Sequence, residues 1–339
     1  MKYKKKINVM VTGAGSAVGQ GIIKSLKLSK MKVEIYASDI SPLNAGLYFV
    51  KNSIIIPKVE KKNSLKKILN ILIKKKIHVL FIGSEYEVEF FSKYKFLIEK
   101  KTNTLVHVSN FKTVKLGNDK YLTHIFLKKN GFITPLTYRV EKNKKKIKYE
   151  KLYFPCILKS RTGTSSRQVY LIKNIKDLKT KLCLVKNAIV QNFCGEKGSN
   201  KNFEFTAGIF VDKNKKINGP IILKRQIKYG TTWVSEVHKN KVFSSYLKKI
   251  TNLLDVTGSI NFQFFSNNGK PEIFEINSRI SGSCPIRAHY GFNEPEMFIR
   301  SFYLDQPINK IKIKNGVCLR FNEELYLKKK NIRSLNKNF

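Results

Sequence analysis

Strand and helix patterns alternate through the first third of the chain, and this alternation constrains the fold more than any other feature. A buried apolar run at residues 7–12 is followed by a glycine-rich turn and an apolar-periodic segment, and then by a strand pattern that ends at Asp39. Similar pairs continue to about residue 112. Because parallel strands are joined by crossover helices, we predict an α/β domain with a parallel, doubly wound sheet at residues 1–115.

The pattern changes in the second part of the chain. A helix is expected at residues 119–130, followed by a lysine-rich exposed loop at 139–151. Strand patterns joined by short turns then continue almost without interruption, which is typical of an α+β domain with antiparallel pairing. We therefore predict a second domain at residues 116–325 and a frayed basic tail at 326–339.

The composition excludes several classes of protein. The chain is 42% hydrophobic and 26% charged, as in globular proteins. Its apolar runs are far shorter than the ~20 residues that a membrane span needs, and the basic start lacks the apolar core of a signal peptide. The cysteines form no CxxC pair and the histidines no HxH or HExxH pattern. We expect a reduced, cytoplasmic protein without a zinc site.

The formal net charge of +43 raises the question of nucleic-acid binding. Lysine is abundant together with Asn, Ile, Phe and Tyr, which are the residues of AT-rich codons and share no electrostatic role. The lysines are also spread along the chain instead of being gathered on one helix. We therefore favour compositional bias, and we keep a basic nucleic-acid-binding protein as an alternative. A positive field would still attract an anionic substrate.

A glycine loop, GAGSAVGQG, stands between the first strand and the first helix, with Asp39 about 20 residues beyond it. This is the context of a dinucleotide-binding turn, whose amides can hold a phosphate. The spacing, Gly13-x-Gly15-x-x-x-Gly19, is one residue longer than GxGxxG. A dehydrogenase would also need a proton relay such as a Tyr-x-x-x-Lys pair, and the candidate YLKK at Tyr246–Lys249 is one residue shorter and lies in the antiparallel half. An NAD(P)-dependent oxidoreductase is therefore an alternative, and close helix–sheet packing explains the glycines equally well.

A second feature is the segment EIFEINSRISGS, which reads as a strand. Alternation places Glu275, Asn277 and Arg279 on one face, and Phe274 and Ile276 on the other. A row of polar side chains is costly to bury without partners. The question is therefore what this face holds.

A third feature, FPCILKSRTGTSSRQV, has a strand that ends at Lys159 and a loop of Gly, Ser and Thr. Such a loop suits a polyphosphate, because amides and hydroxyls surround the oxygens while the ammonium neutralises their charge. It is not a Walker A loop, since GxxxxGK[ST] is absent. Lys120 lies in the first turn of a predicted helix, whose dipole attracts anions. Alone, each lysine is as readily a solvated surface residue.

Together these segments resemble the ATP-grasp superfamily, of the kind that carries an N-terminal Rossmann-like pre-ATP-grasp domain. Units of the carbamoyl phosphate synthase large subunit and stand-alone carboxylate–amine ligases are built in this way. The resemblance runs from Val9 to about Pro307, and its pieces come in the family's order: VTGAGSAVGQGIIKSL, IGSEYEVEFF, NDKYLTHIFLKKNGFITP, FPCILKSRTGTSSRQV, IVQNFCG with FEFTAGIFVD, ILKRQIKYGTTW, and GSINFQFF with EIFEINSRISGS. It implies a small lid subdomain at about 152–190.

The resemblance also implies the site residues and the cofactors, which are ATP and two Mg²⁺ ions, with Mn²⁺ as a substitute. The implied nucleotide-binding residues are Lys120, Lys159, Gln191, Asn192, Phe193, Cys194, Glu204 and Lys228. In this set the backbones of Asn192 and Cys194 would pair with adenine, and many family members have Glu at the position of Gln191. The implied metal ligands are Gln263, Glu275 and Asn277, and the implied catalytic residues are Lys159, Arg225 and Arg279.

The activity implied by the resemblance is an ATP-dependent ligase that makes an acyl phosphate and couples it to an amine, with release of ADP and phosphate. Glu87, Ser281, Ser283 and Arg287 are the candidate substrate residues, with a surface salt bridge as the alternative for Arg287. The partners are then a small-molecule acid and amine, with an amino acid or a sugar-nucleotide uronic acid as candidates. We expect no membrane span, no nucleic acid, and a homodimer as one assembly.

Overall fold

The computed structural model describes residues 6–140, 152–163, 168–194 and 203–336. The lysine-rich insertion predicted at 139–151 lies outside these residues except for its first two positions. Among the helices that are described, none has the length and apolarity that a membrane span requires.

The N-terminal part forms a five-stranded sheet in which all pairs are parallel, as predicted. The strand order is β3-β2-β1-β4-β5. The strands are β1 (Ile7–Val11), β2 (Val33–Asp39), β3 (Asn52–Ile55), β4 (Val79–Phe81) and β5 (Leu105–His107). Val9 packs into one apolar cluster and Met10 into another on the opposite face. Because both faces are buried, the strand reads as a continuous apolar run.

Three helices cover this sheet: α1 (Ala17–Leu28), α2 (Ser64–Lys74) and α3 (Val88–Thr102). Helix α1 begins where the Ser16 hydroxyl accepts a hydrogen bond from the amide of Gly19. A 3₁₀ turn at Glu85–Glu87 precedes α3. Two consecutive helices, α4 (Phe111–Asn118) and α5 (Lys120–Lys129), then lead into the second part. The domain limits stay a prediction, and residue 115 lies within α4.

A small antiparallel sheet follows, with the order β6-β9-β7-β8. Its strands are β6 (Thr137–Arg139), β7 (Cys156–Ser160), β8 (Val169–Ile172) and β9 (Ala188–Asn192), with helix α6 (Ile175–Lys181) packed against them. We call this unit the lid sheet. It includes a strand, β6, that lies before the predicted lid limits of 152–190.

The largest sheet has six strands in the order β14-β13-β10-β11-β12-β15, all antiparallel. Its strands are β10 (Glu204–Val211), β11 (Ile217–Lys228), β12 (Thr231–His238), β13 (Gly258–Asn267), β14 (Lys270–Asn277) and β15 (Val317–Leu319). The accompanying helices are α7 (Lys241–Asn252), α8 (Cys284–His289), α9 (Glu294–Phe298) and α10 (Lys329–Asn336). One face packs against α7. The other, which we call the polar face, bears the polar side chains that line the cavities described below, although Phe210, Leu223 and Val237 on it are apolar and buried.

A bulge in the β13–β14 pair changes the predicted facing of one residue. Gln263 pairs with Glu275, but the next residue, Phe264, pairs with Ile273, so Phe274 is the extra residue. The prediction that Phe274 supports the strand from behind is therefore wrong. Ile273 and Ile276 fill the core instead, and Phe274 joins Glu275 on the polar side.

The parallel sheet and the six-stranded sheet contribute to one shared apolar core. Ile22 of α1 and Val11 of β1 belong to the same buried cluster as Phe210 of β10 and Phe298 of α9. The parallel sheet is thus held against the six-stranded sheet by burial of apolar side chains.

The basic tail differs from its prediction, because residues 329–336 form α10, which packs near β3.

Candidate active site

Two cavities meet on the polar face of the six-stranded sheet. One, the lid cavity, has a volume of about 270 Å³ and lies between this sheet and the lid sheet. The other, the interdomain cavity, has a volume of about 440 Å³ and lies between the sheet and the N-terminal domain. Gln263 and Glu275 line both cavities. The strand predicted to bear the polar row is thus the wall that the cavities share.

Lys159 extends from the end of β7 into the lid cavity and is 7% exposed. Its Nζ donates to Oε1 of Gln191 at 2.7 Å and stands 5.4 Å from the ring centre of Phe274. Burial lowers the pKa of Lys159 to about 8, although nearby Glu275 acts in the opposite direction. The lysine is therefore a buried cation with uncharged neighbours in direct contact, ready for an anion.

Lys120 is the first residue of α5 and also lines the lid cavity. Asp119 caps this helix by accepting from the amides of Tyr121 and Leu122, and it forms an ion pair with Arg161 at 2.7 Å. Nζ of Lys120 donates to the carbonyl oxygen of Gly163 at 2.7 Å. These contacts fasten the loop after β7 to the start of α5, so both predicted lysines face one cavity.

Residues 191–194, whose backbone is predicted to pair with adenine and which we call the hinge, form another wall of the lid cavity. The other residues of this wall are the apolar side chains of Ile157, Val169, Ile227, Phe265 and Phe274. Gln191 donates through Nε2 to Thr137 at 2.8 Å, so its side chain holds Lys159 and β6. The amide N–H of Asn192 donates to the carbonyl of Leu136 at 2.9 Å. That N–H is therefore not available for adenine, while Phe193 and Cys194 also line the lid cavity.

Arg225 lines the interdomain cavity and contacts residues that line the lid cavity. Its guanidinium pairs with Glu204, which lines the lid cavity, and donates to Thr232 at 3.0 Å and to Oε1 of Gln263 at 2.9 Å. Burial raises the pKa of Glu204, while Arg225 opposes this shift. A phosphate or substrate that contacts Arg225 in the catalytic role implied for it would therefore compete with the Glu204 carboxylate that this arginine already holds.

Glu275 and Asn277 are adjacent on the cavity side of β14, where Nδ2 of Asn277 donates to Oε1 of Glu275 at 2.9 Å. The amide nitrogen of Asn277 is thereby turned to Glu275. Its carbonyl oxygen is then the end left for a ligand. Among the described residues no group of three or more His, Cys, Asp or Glu side chains could hold a metal ion. The possible donors are the Glu275 carboxylate and the amide oxygens of Asn277 and Gln263, of which the Gln263 oxygen already accepts from Arg225. One carboxylate with amide oxygens fits Mg²⁺, since this ion is commonly held by one or two carboxylates and the nucleotide phosphates.

Arg279 lies at the floor of the interdomain cavity and forms an ion pair with Glu85 of the N-terminal domain. Burial lowers the pKa of Arg279 to about 10. Ser281 and Ser283 line the same cavity, as predicted, and the Ser283 hydroxyl is 3.0 Å from that of Thr232. Both predicted serines therefore lie just after β14, the strand that bears the predicted metal ligands Glu275 and Asn277.

Arg320 was not predicted and also lines the interdomain cavity. Its NH2 group donates to the carbonyl of Gly282 at 3.2 Å, and within the described ranges it has no carboxylate partner. Residues Ser16, Ala17 and Val18 at the start of α1 form the opposite wall. The sequence signal was weak, because Arg320 is one of 66 basic residues and follows a three-residue strand.

Three predicted residues line neither cavity. Lys228 is exposed, with its Nζ above the rings of Tyr229 and Trp233 at 5.2 and 5.1 Å. Glu87 is buried, and Glu85 occupies the cavity in its place, because the 3₁₀ turn directs the two side chains differently. Arg287 is fully buried and paired with Glu294, so neither direct exposure to substrate nor a surface salt bridge describes it.

The glycine loop is filled by the protein itself. The amide of Gly15 donates to Asp39 at 2.7 Å, and Asn44 also donates to this carboxylate at 2.6 Å. A side chain at Gly15 would overlap Asn44, and one at Gly13 would overlap Ser84. The glycines are thus required for close packing, and Asp39 takes the amide that a dinucleotide phosphate would use.

Comparisons with known families agree with this geometry. Residues 201–324 match the family described as ATP-grasp in the biosynthetic pathway with Ter operon. Residues 9–106 match the PylC-like, N-terminal domain family. Residues 201–324 form an ATP-grasp domain. The predicted superfamily and fold class are confirmed, while no curated protein sequence matches the chain.

Solved structures of the same fold include N5-carboxyaminoimidazole synthetase from Staphylococcus aureus complexed with ADP. Its TM-score is 0.71 at 18% identity, over 95% of this chain and 83% of that one. Carboxyaminoimidazole ribonucleotide synthase from Aspergillus clavatus complexed with ATP has a TM-score of 0.68 at 15% identity, over 94% and 82%.

The biotin carboxylase domain dimer of 2-oxoglutarate carboxylase from Hydrogenobacter thermophilus, with MgADP, ADP and bicarbonate, has a TM-score of 0.70 at 14% identity, over 92% and 73%. At these identities the likeness establishes the fold. The predicted enzyme class, an ATP-grasp ligase, agrees with these synthetase and carboxylase neighbours.

Proposed function

We propose that this ATP-grasp protein is a ligase that uses ATP to phosphorylate a substrate carboxylate and couples the acyl phosphate to an amine, with release of ADP and phosphate. The observation that carries the proposal is the shared wall of the two cavities, formed by Ile227, Gln263 and Glu275. A γ-phosphoryl group leaving the lid cavity would meet the carboxylate of an acid held in the interdomain cavity across this wall.

The lid cavity suits a nucleotide. Its apolar side chains and hinge backbone would hold adenine, Glu204 would face the ribose, and Lys120 and Lys159 would face the phosphates. The neighbouring structures that contain ADP, ATP or MgADP support this assignment. Burial of Lys159 strengthens its attraction for a phosphate oxygen, because screening by water is weak in a buried site.

The interdomain cavity suits an acid. Arg279 and Arg320 line it, and Arg320 has no carboxylate partner among the described residues. These guanidinium groups would orient the carboxylate and neutralise the charge on the acyl phosphate. Ser281 and Ser283 would donate hydrogen bonds to the acid or the amine. A small acid, such as an amino acid or a sugar-nucleotide uronic acid, is the proposed substrate.

Magnesium would be held by Glu275, Asn277 and Gln263 together with the nucleotide, as two ions that Mn²⁺ can replace. When bound, it would neutralise negative charge on the phosphates and on the group being transferred. The protein side chains supply positioning, and the reaction requires no nucleophilic side chain. A homodimer also belongs to the proposal, supported by the dimeric neighbour.

A ligand panel and a substrate screen test this function. Thermal shifts are measured with MgATP, MgADP, NADH, NADPH and duplex DNA, and we expect stabilisation by the magnesium nucleotides alone. ADP release is then screened with combinations of amino acids, uronic acids and amines. Stabilisation by NADPH or DNA without any effect of MgATP would overturn the proposal in favour of the oxidoreductase or nucleic-acid-binding alternative.

A further inference from the structure

A buried polar cluster lies behind the interdomain cavity and has no role in the function proposed above. It consists of Thr206, Asn261, Arg287 and Glu294, and we call it the Arg287 cluster. Arg287 is 0% exposed and is the largest fully buried side chain among the described residues. Burying an ion pair brings little net stability, because desolvation offsets the attraction between the charges. The cluster therefore calls for an explanation other than stability.

The guanidinium of Arg287 lies across β10 and β13. Its NH2 group donates to Oγ1 of Thr206 at 3.1 Å and also to Oδ1 of Asn261, while NH1 is 3.5 Å from Oε2 of Glu294. Gly208, the register partner of Asn261, makes this position possible, since a Cβ there would overlap the guanidinium. The absence of a side chain at one strand position thus creates the space that Arg287 fills.

These contacts fix the orientation of the Asn261 side chain. Its Oδ1 accepts from Arg287 and also from the hydroxyl of Thr206 at 2.8 Å. An amide with two donors on its oxygen presents its nitrogen on the other side. Within the part of the chain that the structure describes, Nδ2 of Asn261 has no hydrogen-bond partner.

Asn261 also lies in the right place to meet a substrate. It lines the interdomain cavity, pairs in register with Asn277, and stands two positions before Gln263 on β13. It belongs to the interdomain cavity alone, whereas Gln263 and Glu275 border both cavities. A donor at this place would face the acid side of the reaction and would not touch the nucleotide in the lid cavity.

We propose that Asn261 is a substrate-binding residue whose Nδ2 donates to an anionic oxygen of the acid, of its acyl phosphate or of the phosphate that leaves. Arg287, held by Glu294, is the positioning residue that fixes the amide of Asn261 in the donating orientation. This inference rests on the proposed function, because that function places the acid and the phosphate in the interdomain cavity.

Inorganic phosphate is the probe, because it is a product that the proposed ligase releases and needs no knowledge of the acid. Its binding is measured by equilibrium dialysis with radiolabelled phosphate, with and without MgADP. Asn261→Asp keeps the oxygen that Arg287 and Thr206 hold but replaces the donor by a negative oxygen. We expect phosphate to bind about tenfold more weakly or worse, through the lost hydrogen bond and the added repulsion. We expect the affinity for MgADP to be unchanged.

Two further variants test the positioning role. Arg287→Lys keeps the positive charge but loses the guanidinium that donates to both Thr206 and Asn261. Gly208→Ala displaces the guanidinium while Asn261 and Arg287 themselves are not substituted. Each should weaken phosphate binding to the folded protein. In an Asn261→Ala background, Arg287→Lys should cause no further loss, because the two residues act through one donor. A purely structural role would lower the melting temperature and leave phosphate affinity unchanged.

The outcomes separate the two proposals. Unchanged phosphate affinity in Asn261→Asp, or no phosphate binding by a wild-type protein that binds MgADP, overturns the role of Asn261. Additive losses from Asn261→Ala and Arg287→Lys overturn the positioning role of Arg287. Failure of the wild-type protein to bind MgADP or MgATP overturns the proposed ligase function instead, and the dialysis without nucleotide still decides whether Asn261 binds the anion.

Discussion

Nζ of Lys159 donates a 2.7 Å hydrogen bond to Oε1 of Gln191, and both side chains lie in the wall of the lid cavity. Gln191 is oriented by its own bond to Thr137 at 2.8 Å. A neutral amide at this place holds the lysine without neutralising it. Burial lowers the pKa of Lys159 to about 8, so the charge that would bind phosphate is sensitive to mildly alkaline pH.

Nucleotide affinity should therefore fall as the pH rises through 8. The pKa of Lys159 in the folded protein is about 8, below its usual 10.5, so the free protein loses the cation in this range. Binding of a phosphate requires the protonated form and would be accompanied by proton uptake. Calorimetric titration with MgADP from about pH 7 to about pH 9.5, in buffers of different ionisation enthalpy, measures both effects.

Two variants control this pH profile. Lys159→Arg should remove the decline, because arginine stays charged. Gln191→Glu should move the decline to higher pH, because a carboxylate beside the lysine raises its pKa. A flat profile in the wild-type protein would contradict the assigned role of Lys159.

Loss of the carboxylate of Glu275, which lines both cavities, should severely reduce phosphoryl transfer without unfolding the protein. Glu275→Gln keeps the size of the side chain and its contact with Asn277, but removes the charge that would hold magnesium. We expect ADP release to fall by roughly 100-fold or more, as for other residues that stabilise charge in a transition state. Lys159→Ala should have a comparable effect.

The matched controls for this pair are Glu236→Gln on the exposed side of β12 and Lys176→Ala on α6, both outside the two cavities. These should retain wild-type rates of ADP release in a coupled assay. Full activity in both Glu275→Gln and Lys159→Ala would show that the site is assigned to the wrong residues.

Breaking the ion pair between Glu85 and Arg279 should loosen the contact between the N-terminal domain and the six-stranded sheet. The two side chains are only 18% and 11% exposed, so Glu85→Ala leaves a largely buried cation without its partner. We expect a loss of about 1–3 kcal/mol in the free energy of unfolding, somewhat below the cost for a fully buried pair. Urea denaturation measures this loss.

A surface pair is the control for Glu85→Ala. Lys213 and Asp305 form an ion pair at 2.8 Å with 48% and 76% exposure. Lys213→Ala should change the free energy of unfolding by less than about 1 kcal/mol, as for exposed pairs. Equal effects of the two substitutions would mean that the Glu85–Arg279 pair does not join the domains.

Glu87→Gln should stabilise the protein at neutral and alkaline pH. Its Oε2 is buried without a hydrogen-bond partner in the described structure, and burial raises the pKa of Glu87 to about 7. The unfolded chain ionises near pH 4.5, so wild-type stability should fall as the pH rises from 4.5 to 7. The variant should exceed the wild type by on the order of 3 kcal/mol at pH 8 and match it near pH 4.5.

Urea denaturation at several pH values measures this difference, with Glu89→Gln on the exposed side of α3 as the control. The control should show no comparable dependence on pH. A difference between Glu87→Gln and the wild type that is constant from about pH 4.5 to about pH 8 would mean that the carboxylate does not titrate as its burial implies.

The fold could be predicted because each element depends on a local pattern. Both faces of the parallel sheet are buried, so its strands are short apolar runs separated by periodic helices. The motifs also mark residues that line the two cavities, namely Lys120, Lys159, residues 191–194, Glu275 and Asn277. These are residues whose chemistry stands out from their surroundings, such as Lys159 at the end of an apolar strand.

The differences between the expected and the observed positions come from features that sequence spacing does not encode. A bulge turned Phe274 to the cavity side, against the alternation of the strand. A 3₁₀ turn placed Glu85 in the cavity and buried Glu87, two positions further on. Arg287 is predicted to contact substrate, but it is buried in the space over Gly208. That space is set by a strand more than 70 residues away in the sequence, so local spacing does not reveal it.

The wall that the two cavities share has a consequence for inhibitor design. Compounds for the lid cavity alone would compete with a nucleotide that many other proteins also bind. A single molecule that joins an adenosine group to a mimic of the acid would cross the wall at Gln263 and Glu275 and fill both cavities, of about 270 and 440 Å³. Linking the two parts would raise affinity through effective concentration. Selectivity would come from the part of the molecule that fills the interdomain cavity, because Arg320 and Asn261 line that cavity and do not line the lid cavity.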